Sequence, residues 1–92
     1  MSLENEIAFV SGASRGIGKE IALALGAQGA VVVGTATSEN GAESISNYLK
    51  DNGIKGQGMV MNVTDQDSIT NTVKAIADDF GTPTILINNA GI

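Results

Sequence analysis

Strand-like and helix-like patterns alternate along this chain with short connections between them, and no other feature narrows its fold as much. Strands are predicted over residues 7–10, 30–34, 58–63 and 84–88. The first helix is expected over 16–28, with a stripe of Ile17, Ile21, Ala24, Leu25 and Gln28, and Gly29 closing it. Val31-Val32-Val33 is a β-branched run suited to a strand covered on both faces. Asn40 with Glu43 resembles a capping box for a second helix lined by Ala42, Ile45 and Leu49, which Asp51-Asn52-Gly53 ends. Thr64 or Asp65 caps a third, whose stripe is Ile69, Val73, Ile76, Ala77 and Phe80 and which Gly81-Thr82-Pro83 breaks. The order β-α-β-α-β-α-β predicts a parallel sheet with helices on both faces. Right-handed crossovers set the strand order 3-2-1-4, with a switch point between strands 1 and 4. The expected class is therefore α/β, a doubly wound parallel sheet that stops after its fourth strand.

The first strand runs into Ser11-Gly12-Ala13-Ser14-Arg15-Gly16-Ile17-Gly18, with glycines spaced G-x-x-x-G-x-G. This is a longer-looped variant of the Rossmann-like dinucleotide fingerprint. Gly12 can turn the chain sharply as it leaves the strand. Gly16 offers no side chain to block a phosphate, and Gly18 permits close packing of helix and strand. The helix start then presents unpaired N–H groups and the positive end of its dipole to a pyrophosphate. The bland alternative is a turn shaped by glycine alone; the strand before and helix after favour nucleotide binding. Ligands of such sheets bind beyond the carboxyl ends of the strands at the switch point. The glycine turn lies there, and so does Asn88-Asn89-Ala90-Gly91.

Ninety-two residues form one small domain. A chain of this size buries only about 60% of its unfolded surface. There is no cysteine and no histidine, hence no disulfide, no imidazole base and no ordinary zinc site. A net charge of −5 with scattered basic residues argues against nucleic acid as a partner. No apolar run is long enough to span a bilayer and the start lacks a signal-peptide pattern, so a cytoplasmic protein is expected.

The glycine turn together with Asn88-Asn89-Ala90-Gly91 resembles the short-chain dehydrogenase/reductase family. Within it, 34–43 (Gly-Thr-Ala-Thr-Ser-Glu-Asn-Gly-Ala-Glu) and Asn62-Val63-Thr64-Asp65 are nearest to bacterial ketoreductases acting on acyl-carrier-protein-linked substrates in fatty-acid synthesis. The resemblance implies that Gly12, Ser14, Arg15, Gly16, Ile17 and Gly18 hold the pyrophosphate and its ribose. It implies that Thr37 lies near an adenosine 2′-phosphate, that Asn62 and Val63 flank the adenine, and that Asn89, Ala90 and Gly91 border the nicotinamide ribose. Three positions depart from the family pattern: Ser11 for Thr, Asn62 for a common Asp, and Thr84 for Asp.

An NAD-selective site uses a carboxylate after strand 2, and residues 35–38 contain none. Arg15 supplies a guanidinium suited to phosphate. NADP is therefore the expected cofactor. The family's chemistry needs Ser, Tyr and Lys, the last two spaced Tyr-x-x-x-Lys. Here the only tyrosine is Tyr48, followed four residues later by Asn52, and it is read as structural and away from the cofactor mouth. No catalytic residue is assigned to this chain. It is expected to be the N-terminal, cofactor-binding portion of a longer single-domain reductase, inactive alone. Strand 4 then becomes an edge beside an open apolar face, which favours self-association. Another NADP-dependent short-chain reductase, a non-catalytic nucleotide-binding module and a nucleoside-binding methyltransferase remain alternatives.

Overall fold

The computed structural model describes residues 2–62 and 64–89. Its elements are β1 (Ile7–Val10), α1 (Gly16–Ala27), β2 (Val31–Ala36), α2 (Glu39–Asp51), β3 (Gly56–Val60), α3 (Gln66–Asp79) and β4 (Ile85–Ile87). The strands lie in the order β3-β2-β1-β4 and all pair in parallel. This is the α/β, Rossmann-like arrangement that the alternation predicts. Val10 pairs with both Gly34 and Ile87, and Ala36 pairs with Val60, so the carboxyl ends of the strands share one edge of the sheet.

Strand period decides which residues meet which helices. Ala8, Val10 and Val32 point to one face and pack with Ile45, Tyr48 and Leu49 of α2 and Ala22 of α1. Phe9 and Val33 point to the other, where Ile76 of α3 and Met61 cover them. The first core is the larger. On the second face Leu86 is 72% exposed and Val73 39% exposed, and a cavity of about 260 Å³ opens between α3, β1 and β4. The sheet's last strand, β4, begins where Thr84 reaches across to β1: the Ile7 amide donates to Thr84 Oγ1 at 2.9 Å and the Thr84 amide donates to the Ile7 carbonyl at 2.8 Å.

Four local expectations need correction. In α1, Ile21 and Leu25 pack against the core as expected, but Gly18 and Ala22 are the buried residues, while Ile17 is 66% exposed and Ala24 and Gln28 are also exposed. In α3, Ile69, Ile76 and Phe80 pack against the core as expected, but Thr72 is also buried and Ala77 is exposed. The second helix starts at Ser38, not Asn40. Strand β2 runs on to Ala36, so the chain turns sooner, and Ser38 Oγ accepts the Gly41 amide at 3.1 Å. Finally, β3 occupies 56–60 rather than 58–63. Beyond it Asn62 folds into a side-chain-stabilised turn, with Oδ1 accepting the Thr64 amide at 3.0 Å.

The contact between α2 and β3 depends on Gly58. A Cβ there would collide with the Ala42 carbonyl oxygen and lie 2.7 Å from Ile45 Cβ, while the Gly58 amide donates to Ser46 Oγ at 2.8 Å. Gly58→Ala is expected to cost about 3 kcal/mol, the upper end for overpacking, because backbone blocks the new methyl. A urea-unfolding midpoint unchanged by the substitution would contradict this packing.

Candidate functional site

The turn after β1 reverses through two left-handed glycines, Gly12 at φ 66° and Gly16 at φ 65°. Its inner side is tied to the sheet. The Ser11 amide donates to the Ile87 carbonyl at 3.0 Å, and the Ala13 amide donates to the Thr35 carbonyl at 2.9 Å. Ala13 itself is fully buried. Gly18, one turn into α1, lies so close beneath the turn that a Cβ would strike the Gly12 carbonyl and sit 2.7 Å from Asn89 Nδ2. The third glycine is thus a close-packing position, but against the turn and the β4 end rather than against β1 alone.

The outer side is different. Arg15, Gly16 and Ile17 are exposed, and a Cβ built on Gly16 meets nothing within 4 Å. Arg15 is the N-cap of α1 and its side chain makes no cap hydrogen bond; the first turn carries no acidic residue. The other two helices are capped by their own side chains. Ser38 and Glu39 serve α2, and Asp65 and Asp67 serve α3. A helix start leaves N–H groups without intrahelical acceptors, and the start of α1 lies at the exposed residues Arg15, Gly16 and Ile17.

Loops after the other strands gather at the same edge. Thr37 is exposed just past β2, and Gly41 brings α2 against the turn, its would-be Cβ lying 3.4 Å from Ser14 Cβ and 3.3 Å from Ser38 Oγ. Glu39, the nearest acid, belongs to the first turn of α2. Asn62 is exposed after β3, where the Met61 amide bonds the Ala36 carbonyl at 2.9 Å. After β4, the Asn89 amide donates to Ser11 Oγ at 3.0 Å and Asn89 Nδ2 donates to the Gly12 carbonyl at 3.2 Å. The structure therefore brings Gly12, Ser14, Arg15, Gly16, Ile17, Gly18, Thr37, Asn62 and Asn89 to one edge. The expectations for Val63, Ala90 and Gly91 lie outside the described residues.

Two residues escaped the sequence reasoning. Ser11 is 4% exposed and its hydroxyl joins the turn to the end of β4, lying 3.3 Å from Asn88 Oδ1. The signal was a hydroxyl placed directly before the first glycine. Tyr48 is not remote from the turn. Its hydroxyl donates to the Ala13 carbonyl at 2.6 Å, reaching the turn from the interior. No local pattern links positions 13 and 48; only the packing of α2 does. Burial pushes the Tyr48 phenol up from 10.0 to about 12.

Residues 6–92 match the short chain dehydrogenase family. The chain is also similar throughout its length to bacterial proteins named 3-oxoacyl-[acyl-carrier-protein] reductase FabG. It is 53% identical over 92 residues to that of Pseudomonas aeruginosa, 59% over 92 to that of Vibrio cholerae, and 55% over 92 to that of Escherichia coli. Each similarity takes in 100% of this chain but only 37%, 36% and 36% of the relative, respectively. The chain thus spans little more than a third of the length of these curated relatives.

The phenol gives a pH dependence of definite sign. The folded state keeps a proton that the unfolded chain loses near pH 10, so stability is full below pH 10 and falls as pH rises toward about 12. Tyr48 is the only tyrosine and there is no tryptophan, so phenolate absorbance reports it alone. Titration of the folded protein is expected to show ionisation near 12, returning to about 10 in denaturant. Ionisation near 10 in both states would contradict the buried hydrogen bond.

Proposed function

The chain belongs to the short chain dehydrogenase family, and from that premise we propose that it is the N-terminal dinucleotide-binding portion of an NADPH-dependent reductase. The full-length protein is proposed to reduce 3-oxoacyl-[acyl-carrier-protein] to 3-hydroxyacyl-[acyl-carrier-protein]. The observation that carries the dinucleotide reading is the start of α1, where uncapped N–H groups meet an open glycine and no carboxylate. The substrate class rests on whole-length similarity to relatives so named, each much longer than this chain.

On this reading Gly12, Ser14, Arg15, Gly16, Ile17 and Gly18 hold the pyrophosphate and its ribose. Thr37 lies by the adenosine 2′-phosphate, Asn62 and Val63 flank the adenine, and Asn89, Ala90 and Gly91 border the nicotinamide ribose. The bound nicotinamide supplies hydride chemistry. The work of this chain is to bind and orient; the family's Ser, Tyr and Lys are assigned to the part of the protein beyond it, and the chain alone is expected to be inactive. The preference for NADP over NAD is supported by the absence of a carboxylate at 35–38, by Glu39 being held in α2, and by the exposed guanidinium of Arg15.

We also place the full-length protein in the cytoplasm as a homo-oligomer. In support of the location, no helix among the described residues is long and apolar enough to cross a membrane. A non-catalytic nucleotide-binding module is the second reading, favoured by the lack of Tyr-x-x-x-Lys in these residues. The intact mass of the native gene product separates the two.

Calorimetric titration of the native gene product with NADPH, NADH and S-adenosylmethionine is the test. NADPH is expected to bind most tightly. Arg15→Ala is expected to weaken NADPH about tenfold, the scale of one charge-assisted hydrogen bond, and to weaken NADH less, so that the preference for NADPH falls. Equal affinity for the two dinucleotides, or an Arg15→Ala protein that keeps the preference, removes the NADP assignment.

A further inference from the structure

Of the groups that the dinucleotide reading leaves unused, Tyr48 is the one aimed at the site. Its ring is 8% exposed, on α2, and its hydroxyl is spent on one acceptor, the carbonyl of Ala13 at 2.6 Å. That peptide is held from the other side too. The Ala13 amide donates to the Thr35 carbonyl at 2.9 Å, and the Ala13 methyl lies 2.8 Å from where a Cβ on Gly34 would stand. Ala13 is the last point at which the turn is anchored before it emerges at Arg15 and Gly16.

A trans peptide is planar, so the carbonyl of one residue and the N–H of the next point in opposite directions. Holding the Ala13 carbonyl inward toward Tyr48 therefore turns the Ser14 N–H away from the core of α1 and α2. If that carbonyl were released, it could rotate outward. Its negative end would then stand among amides suited to phosphate, and the Ser14 N–H would turn in. We propose that Tyr48 is a positioning residue for the dinucleotide phosphates, fixing the Ala13 carbonyl inward and so directing the Ser14 amide toward the anion. This rests on the dinucleotide reading of the turn given above.

The surroundings suit the role. Lys19 of α1 places Nζ 5.2 Å from the ring centroid, holding the ring from the turn side. The phenol keeps its proton up to about pH 12, so the donor persists at any working pH. A packing role alone would need only the ring, which phenylalanine supplies in the same volume.

Tyr48→Phe separates the two roles. The native gene product and the variant are titrated with NADPH and with 2′-AMP, which lacks the pyrophosphate, and melting temperatures are recorded alongside. The variant is expected to bind NADPH about five- to tenfold more weakly while 2′-AMP changes less than about twofold. A second measurement uses the native protein only: hydrogen exchange at the Ser14 amide should slow on adding NADPH. Unchanged NADPH affinity in the variant, equal weakening of both ligands, or a Ser14 amide indifferent to NADPH each overturns the positioning role. If the native protein binds neither ligand, the dinucleotide reading fails and this one with it. If it binds NADPH and the variant matches it, only the role of Tyr48 falls.

Discussion

The approach of α1 to the end of β1 is the constraint on which the ligand-facing edge depends. At Gly18 the helix comes so near that a single methyl would press on the Gly12 carbonyl and on the amide of Asn89. That amide donates to the same carbonyl, so one oxygen joins the first turn, the first helix and the loop after the fourth strand. A larger residue would force α1 outward, lengthen this bond and displace the helix start from the switch point. The exposure of Ile17 follows from the same geometry. Turning Gly18 and Ala22 inward carries Ile17 to the outside, beside the uncapped N–H groups.

Electrostatics reinforce this by being local. The chain is acidic overall, at −5, which disfavours anions at long range. Surface charges are screened beyond about 8 Å at physiological salt, so the distant carboxylates matter little at the turn. What acts there is close: the amides of the first turn, the Arg15 guanidinium, and Lys19 over the Tyr48 ring. Ser38, Glu39, Asp65 and Asp67 spend their oxygens or their charge on the other two helix starts. In this way the start of α1, alone of the three helix starts, carries neither a side-chain cap nor an acidic first-turn residue.

Much of this was legible in the sequence because period and glycine spacing are local signals. The alternation gave the strand order correctly, since right-handed crossovers leave little choice once the elements are known. Asp65 is readable as a cap. What failed was whatever tertiary contact decides. Periodicity puts Ile17, Ile21, Ala24, Leu25 and Gln28 on one stripe of α1; Ile21 and Leu25 do pack against the core, but the buried positions are Gly18 and Ala22. Strand β3 begins two residues before the expected Gly58 because Gly56 and Gln57 pair with Val32 and Val33, and Gly58 admits α2. At the candidate site, the residues in the turn could be named from their order alone. Ser11 and Tyr48 could not, because their partners lie 77 and 35 positions away.

The two ends of the candidate site rest on different supports. The turn from Gly12 to Gly16 leans on the face covered by α1 and α2: Ala13 is clamped by Thr35 and Tyr48, and Ser14 lies near Gly41 of α2. That face holds the larger core, with Ile45 and Leu49 fully buried. Asn88 and Ser11, by contrast, line the cavity on the α3 face together with Phe9, Leu86 and Ile87. The loop after β4 is held to the turn by the Ser11 hydroxyl and the Gly12 carbonyl, across a face where Leu86 remains largely exposed. Filling that cavity with apolar side chains would remove Leu86 and Val73 from water and buttress Asn88 from beneath. The glycine-turn end of the candidate site is thus built from within these residues, while the end at Asn89 depends on the covering of the α3 face.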